Sequence, residues 1–203
     1  MPRDKTQTRK KILDAVGVVL IKSGMAKVGI NSVARQAKED KVLIYRYFGS
    51  LDDLLAAYIE ENELWPHKSS PSASKIAART SSDTRELVAD FLLDRLNELR
   101  RRKAAQEIMR GGLLKENRLT QALSGIRQKQ NSEIISKLSA AKDTGAIKDY
   151  EALISFMDAA LSYLVLYSKT SDKYWGIDLH SNFGWQRIEK LINELVTAYS
   201  KNS

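Results

Sequence analysis

The chain has 203 residues, no cysteine and a formal net charge of +8. Without cysteine it cannot form disulfide cross-links, thiolate metal sites or a cysteine nucleophile. Its 43% hydrophobic and 29% charged residues are typical of a globular protein with a packed core. No apolar run approaches the roughly 20 residues that a membrane span needs, and the first residues are charged rather than signal-like. We therefore expect a cytoplasmic protein with no membrane partner.

The positive charge is concentrated at the N-terminal end of the chain. Residues 1–50 contain 11 lysines and arginines against four acidic residues, whereas the rest of the chain is close to neutral. A local excess of cations favours a polyanionic partner, because neutralised phosphates release their condensed counterions. A basic surface that serves only solubility is the alternative, so the residue pattern has to separate the two.

Periodic apolar residues and capping signals predict four helices in this segment, at residues 6–24, 29–37, 41–48 and 51–64. Asp40 is a predicted N-cap of the third helix. Ser50 with Asp53 has the pattern of a capping box for the fourth. Two short helices joined by about three residues, packed on a longer one, form a helix-turn-helix, whose second helix fits a DNA major groove.

The residues between Ile30 and Leu54 resemble the DNA-binding domain of TetR-family regulators. The resemblance is carried by Val33-Ala34, by Ile44-Tyr45-Arg46-Tyr47-Phe48, and by Gly49-Ser50 before Asp52-Asp53-Leu54. It covers about residues 9–58, while the length and helical patterning of the remainder are compatible with the family. It implies an all-α fold of about nine helices, with a helix-turn-helix DNA-binding domain at residues 1–50 and a helical ligand-binding and dimerisation domain at residues 51–203.

The resemblance also implies which residues bind double-stranded DNA. They are Asn31, Lys41, Val42, Leu43, Tyr45 and Tyr47. Lys41 can donate to guanine O6 or N7, and Val42 can contact a thymine methyl group. A tyrosine can pack its ring on the domain while its hydroxyl donates to a phosphate. Core packing is the alternative for each tyrosine, although two residues apart on a helix they cannot both face one core.

Four positions depart from the family pattern in and around the predicted helix-turn-helix. Lys38 stands where glycine is common in the turn, and Glu39 stands where an apolar residue is common. Gly29 and Leu51 stand where a threonine and a lysine often contact phosphates. We expect the basic arm to replace these contacts, with a solvated helix face as the alternative. The arm consists of Arg3, Lys5, Arg9, Lys10 and Lys11.

Beyond this domain the sequence predicts a loop at residues 69–74 and further helices at residues 83–102, 104–115, 117–142, 149–169 and 182–200. Gly111-Gly112 is expected to break the second of these. We interpret the cations at 100–103 as a solvated helix end rather than an anion site. The last helix has apolar residues at alternating spacings of three and four, namely Trp185, Ile188, Ile192, Leu195 and Tyr199. The resemblance implies a homodimer formed by the last two helices, and intramolecular core is the alternative.

An effector pocket is predicted within the helical domain for a largely apolar small molecule of unknown identity. The ligand-binding candidates are Phe91, Met109, Arg110, Phe156, Met157 and Tyr163, with Leu92, Leu113 and Ile126 as neighbours. Ordinary core packing has the same sequence signature. His67 and His180 are the only histidines, and they have no metal-ligand or triad spacing. We therefore expect no enzyme activity, metal or cofactor.

Together these features predict a sequence-specific transcriptional regulator. The expected protein is a repressor that acts as a homodimer on a palindromic operator and is released from DNA by a small-molecule effector. A non-specific architectural DNA-binding protein is the alternative.

Overall fold

The computed structural model describes residues 5–62, 71–78, 83–114, 118–139 and 149–201. Within these ranges the chain is almost entirely helical, which confirms the predicted all-α class. The helices are α1 (Lys5–Ser23), α2 (Ile30–Ala37), α3 (Lys41–Phe48), α4 (Leu51–Glu61), α5 (Pro71–Ala78), α6 (Thr84–Arg101), α7 (Lys103–Leu114), α8 (Arg118–Ser139), α9 (Tyr150–Tyr167) and α10 (Asn182–Lys201). A short 3-10 helix, Met25–Lys27, connects α1 to α2.

The predicted caps fix the ends of α3 and α4. A side-chain oxygen of Asp40 accepts a hydrogen bond from the backbone N–H of Val42 at 2.8 Å. Ser50 Oγ accepts from the backbone N–H of Asp53 at 3.1 Å. Each bond satisfies a backbone donor that has no partner inside the helix. The start of α3 at Lys41 and its end at Phe48 are therefore those that the sequence predicts.

The chain divides into two compact units. The first comprises residues 1–65 and 102–127, and the second comprises residues 66–101 and 128–203. Helices α1 to α4 and α7 belong to the first unit, and helices α5, α6, α9 and α10 belong to the second. The division into binding functions at residue 50 stays a prediction.

The core of the first unit lies between α1 and the helices packed around it. Its fully buried residues include Ile12, Val16, Leu20, Val33, Ile44 and Leu54. Gly17 permits a close approach of α4, because a Cβ atom there would lie 2.7 Å from the hydroxyl oxygen of Tyr58. Burial, together with the nearby Asp14, raises the pKa of that tyrosine. Helices α1 and α4 are therefore in close contact within the unit that contains the helix-turn-helix.

The predicted helix break at Gly111-Gly112 is wrong, because α7 runs without interruption to Leu114. A Cβ atom at Gly111 would lie 2.6 Å from Cβ of Met25. The glycine therefore allows α7 to pack closely on the 3-10 helix of the same unit. Glycine is therefore needed at position 111 for this close packing, and not to end the helix.

The second unit is organised around α6, which packs against α5, α9 and α10. Arg95 forms a mostly buried ion pair with Asp158 of α9. The guanidinium of Arg100 lies 4.5 Å from the ring centroid of Trp185 in α10, and burial lowers its pKa. The interpretation of residues 100–103 as a solvated helix end is therefore wrong for Arg100, since an aromatic ring of α10 covers its side chain.

The loop predicted at residues 69–74 is wrong from Pro71 onward, where α5 begins. Proline fits a first helical position because the N–H that it lacks has no partner there. The backbone N–H of Ser72 donates to Asp94 at 2.8 Å, and Lys75 pairs with Asp90 at 2.6 Å. These contacts with α6 stabilise a helix that local propensity disfavours. Residues 69 and 70 lie outside the described residues.

A small hairpin follows α9, although the sequence shows no strand-like alternation. Strands β1 (Lys173–Tyr174) and β2 (Ile177–Asp178) pair antiparallel across a two-residue loop. In that loop Trp175 has φ 47° and Gly176 has φ 77°, as a type I′ turn requires. The Tyr174 ring contacts two α9 rings, those of Tyr163 and Tyr167, at centroid distances of 5.5 and 5.1 Å. Strands of two residues are too short to show a period.

Candidate nucleic-acid interface

The turn between α2 and α3 is built on the two residues that depart from the family pattern. Lys38 adopts the left-handed conformation, with φ 54° and ψ 42°, at a cost of about 1 kcal/mol relative to glycine. The Glu39 side chain is only 2% exposed and accepts a hydrogen bond from Lys11 Nζ of α1 at 3.1 Å. An ion pair therefore joins the turn to α1 at a position where the family commonly has an apolar residue.

Helix α3 separates its predicted contact residues from the core. Ile44 is fully buried, whereas Val42 is 62% and Tyr45 is 52% exposed. Lys41 is also exposed. Each of these three exposed side chains is available to a molecule that approaches the outer side of α3.

Tyr47 and Leu43 are half-buried and differ from the other predicted contact residues. The Tyr47 ring packs edge-on against Phe48, with centroids 6.4 Å apart, at the border of the first unit's core. The two tyrosines of α3 therefore do not share one face, as their spacing predicts.

A concavity of about 1160 Å³ lies in the first unit beside the exposed side of α3. It is lined by Val19, Lys22, Ser23, Lys27, Gly29, Ile30, Asn31, Ser32, Arg35, Gln36, Lys41 and Tyr45. We call this surface the concave face. Lys41 and Tyr45 are four residues apart on α3, and Asn31 and Arg35 are four residues apart on α2, so each pair lies on one side of its helix.

The concave face brings together three of the six predicted DNA-binding residues, namely Asn31, Lys41 and Tyr45. Its other cations were not predicted to bind DNA. They are Lys22, Lys27 and Arg35. The spacing of Asn31 and Arg35 on α2 could have shown Arg35, whereas the other two depend on how α1 packs.

The basic arm is partly committed to contacts inside the first unit. Arg9 forms an ion pair with Glu61 of α4 and lies 5.4 Å from the ring centroid of Phe48. Lys11 is paired with Glu39. Lys5 and Lys10 are exposed, and Arg3 lies outside the described residues. Two of the five arm cations therefore stabilise the fold of this unit.

The two other departures from the family pattern also have local structural roles. At the start of α2, the backbone N–H of Gly29 donates to Ser32 Oγ at 3.0 Å. Ser32 in turn donates to the carbonyl oxygen of Lys27 at 2.8 Å. Leu51 packs against the core of the first unit. Ser32 therefore caps the start of α2 in place of a threonine at position 29, and Leu51 contributes to core packing where a lysine would lie on the surface.

The predicted effector residues are divided between the two units. Met109 and Arg110 lie in the first unit, where Arg110 pairs with Glu107 at 3.4 Å. Phe91 and Met157 are buried in the second unit, whereas Phe156 is 73% and Tyr163 is 50% exposed on α9. The last two therefore do not line the interior of this chain. The side chains of Leu113 and Ile126 lie outside the described part.

In the part of the chain that the structure describes, no three His, Cys, Asp or Glu side chains are grouped closely enough to hold a metal ion. The ring nitrogen Nε2 of His180 lies 2.8 Å from the carbonyl oxygen of Ser168, which gives it a place in the connection between α9 and α10. His67 lies outside the described residues. None of the described helices has the length and apolar character of a membrane-crossing segment.

Comparison with known proteins agrees with this geometry. Residues 12–58 match the family model of bacterial regulatory proteins, tetR family. No curated protein sequence matches the chain. The fatty acid degradation regulator FadR from Bacillus halodurans is similar in structure, with TM-score 0.64 and 17% identity, over 93% of this chain and 94% of that one.

Two further solved structures have the same fold. The transcriptional regulator FadR from Bacillus subtilis, in complex with stearoyl-CoA, has TM-score 0.65 and 17% identity, over 92% of this chain and 96% of that one. A Rhodococcus sp. protein assigned to the TetR family of transcriptional regulators has TM-score 0.58 and 16% identity, over 96% and 97%. Residues 12–58 therefore match the tetR family model, and the chain has the fold of these transcriptional regulators over nearly all of its length.

Proposed function

We propose that the protein is a homodimeric repressor that binds a palindromic DNA operator through α3 and leaves it when a small apolar effector binds. The observation that carries this proposal is the concave face, where Asn31, Lys41 and Tyr45 meet beside further cations and no acidic residue. Such a surface is complementary to the phosphate backbone of a duplex. It also presents side chains that can reach base edges.

The residues of α3 divide between reading bases and binding phosphates. Lys41 donates to a guanine edge and Val42 contacts a thymine methyl group, with Leu43 beside them. Tyr45 donates its hydroxyl to a phosphate, and Asn31 binds the backbone or the groove edge. Tyr47, whose ring packs on Phe48, is the second phosphate donor. Phosphate contacts set the register of the protein, and base contacts set its preference.

The exposed apolar side chains of α9 and α10 support a homodimer. Leu191, Leu195 and Tyr199 lie on one side of α10 because four residues separate each from the next, and all three are exposed. Phe156 and Tyr163 are exposed on α9. Contiguous exposed apolar groups mark a surface that a partner covers. A second copy would give two identical reading heads, as a palindromic operator requires.

The same observations revise the expected dimer contacts within α10. Trp185 and Ile192 are buried inside the chain, Ile188 is half-buried, and Leu195 and Tyr199 are exposed. The predicted seam therefore divides between intramolecular core and proposed interface. Leu191 joins the interface because it lies four residues before Leu195.

An effector with an apolar part is supported by the buried apolar residues of the second unit. It is also supported by the complex of the Bacillus subtilis FadR with stearoyl-CoA, whose acyl chain is apolar. We place the apolar part of the effector beside Phe91 and Met157, which are both buried in the second unit. The effector weakens operator binding only if it has different affinities for the DNA-bound and released conformations.

Selection of bound fragments from genomic DNA, followed by titration of the selected duplex and a scrambled duplex, tests the regulator. We expect affinity at least about 10³-fold higher for the selected duplex. Equal affinity for both duplexes would establish the architectural alternative instead.

Substitution of Met157 by tryptophan tests the effector site, with stearoyl-CoA as the probe. The larger side chain fills the space that the acyl chain would occupy, so we expect operator binding to persist and release by the probe to weaken. If the variant folds and is released at the wild-type probe concentration, Met157 does not line the site.

A further inference from the structure

Three exposed cations on the concave face belong to elements that precede α3. Lys22 lies near the end of α1, Lys27 lies in the 3-10 helix, and Arg35 lies in α2. Each of the three side chains is exposed. The cations therefore converge from three separate elements on the concavity beside Lys41.

These cations differ from the basic arm in their surroundings. Arg9 and Lys11 are paired with acids of the same unit. Among the described residues, no acid lies within ion-pair distance of Lys22, Lys27 or Arg35. Their charges remain available to a partner, whereas the charges of Arg9 and Lys11 are already compensated.

The charge balance of the concave face favours an anionic partner. Among the described residues that line this face, four are cationic and none is acidic. Like charges grouped on one concave surface repel one another, and the low-dielectric walls of a concavity strengthen their field. A row of phosphates lowers this repulsion and releases counterions to the solvent.

We propose that Lys22, Lys27 and Arg35, which we call the cationic rim, bind backbone phosphates of the duplex while α3 faces the bases. This inference rests on the DNA binding proposed above. A phosphate contact carries no base information. The rim therefore supplies affinity and salt dependence, and leaves sequence preference to α3.

The test compares the full chain with a triple variant, Lys22→Gln, Lys27→Gln and Arg35→Gln. Fluorescence anisotropy measures binding to the selected operator and to a scrambled duplex over a range of salt concentrations. Each lost phosphate contact reduces the magnitude of the slope of log K against log salt by about 0.9. We therefore expect a reduction of about 2.7 per protomer, or about 5.4 for the proposed dimer, on both duplexes. The relative preference for the operator is expected to stay unchanged.

Two control variants separate the rim from general effects of charge. Lys129→Gln, Lys137→Gln and Lys173→Gln remove the same charge from exposed positions of the second unit, and we expect a slope close to that of the wild type. Lys22→Arg, Lys27→Arg and Arg35→Lys keep the charge at the rim and should keep the slope. All variants alter exposed side chains, and circular dichroism checks their folding.

The outcomes distinguish this inference from the proposed function. If the wild type does not prefer any operator but the triple variant still loses slope on scrambled DNA, the rim stands and the sequence-specific regulator fails. If the triple variant keeps the wild-type slope on both duplexes, the rim does not contact phosphates. Inorganic triphosphate provides a further arm. If the rim binds triphosphate while its removal leaves the DNA slope unchanged, the concave face serves a soluble anion instead.

Discussion

Two exposed surfaces, the concave face of the first unit and the apolar side of α10 in the second, differ in the chemistry that they leave uncovered. The concave face carries cations, an amide and a tyrosine hydroxyl. The side of α10 carries Leu191 and Leu195, exposed by 49% and 40%. Salt screens the first kind of surface strongly and the second only weakly. The two surfaces therefore suit different partners, a polyanion and a second protein chain.

The largest effect is expected from introducing charge into the apolar side of α10. Substitution of Leu191 and Leu195 by glutamate would bury four carboxylates in a symmetric interface, so we expect dissociation to monomers. Operator affinity should then fall by about 10²–10⁴-fold, because two linked heads bind more tightly than one. Light scattering after size exclusion and anisotropy measure the two effects.

A matched control for this variant is Asn193→Glu, which adds a carboxylate at an exposed position on another side of α10. It is expected to remain dimeric and to bind operator like the wild type. Persistence of a dimer in the double leucine variant would exclude α10 as the interface. The proposal that the concave face binds DNA would be unaffected by that result.

A smaller effect is expected from a glycine in the first turn of α10. A Cβ atom at Gly184 would lie 1.8 Å from the carbonyl oxygen of Asp178, so Gly184→Ala forces the backbone to move. We expect a loss of about 3 kcal/mol in the free energy of unfolding. Chemical denaturation measures it. Gly125→Ala is the control, because among the described residues no atom outside the adjoining backbone lies within 4 Å of its added Cβ. It should stabilise α8 by about 1 kcal/mol.

The concave face is tested next through the two kinds of contact assigned to α3. Lys41→Ala is expected to relax preference at one base pair in each half-site by about 1–3 kcal/mol. Tyr45→Phe removes a phosphate donor and should weaken all duplexes alike by about 1 kcal/mol. Selection from a randomised operator library measures both. An unchanged preference in the lysine variant would remove Lys41 from the base-reading residues.

The sequence could predict those features of the fold that depend on residues close together in the chain. The bounds of α3 and the caps Asp40 and Ser50 depend on residues within one turn of each other, and both were predicted. Helix α5 depends on contacts of Ser72 and Lys75 with α6, and the position of Arg100 depends on Trp185. Such contacts join residues far apart in the chain, and no local period reports them.

The candidate site shows the same limit. The resemblance to the family covers α3, so Lys41 and Tyr45 could be named in advance as candidates. Lys22 and Lys27 of the cationic rim could not, since they reach the concave face only through the packing of α1 on α2. Phe156 and Met157 are neighbours in sequence with opposite burial, which composition alone does not reveal.

The smallest effect is expected at two residues, one in each unit, whose backbones adopt the left-handed conformation. Lys38 and Trp175 are the described non-glycine residues with positive φ, at 54° and 47°. We expect Lys38→Gly to be more stable than Lys38→Ala by about 1 kcal/mol, because only glycine removes the left-handed cost. Trp175→Gly against Trp175→Ala should differ by a similar amount, since the indole is almost fully exposed.

Denaturation midpoints of the four variants measure these differences, and the two Lys38 variants share the same loss of charge. Any change in their DNA affinity that is common to both therefore reports the charge, and a difference between them reports the turn. If Lys38→Gly proves no more stable than Lys38→Ala, the ion pair between Glu39 and Lys11 determines the turn, and relief of backbone strain contributes nothing measurable.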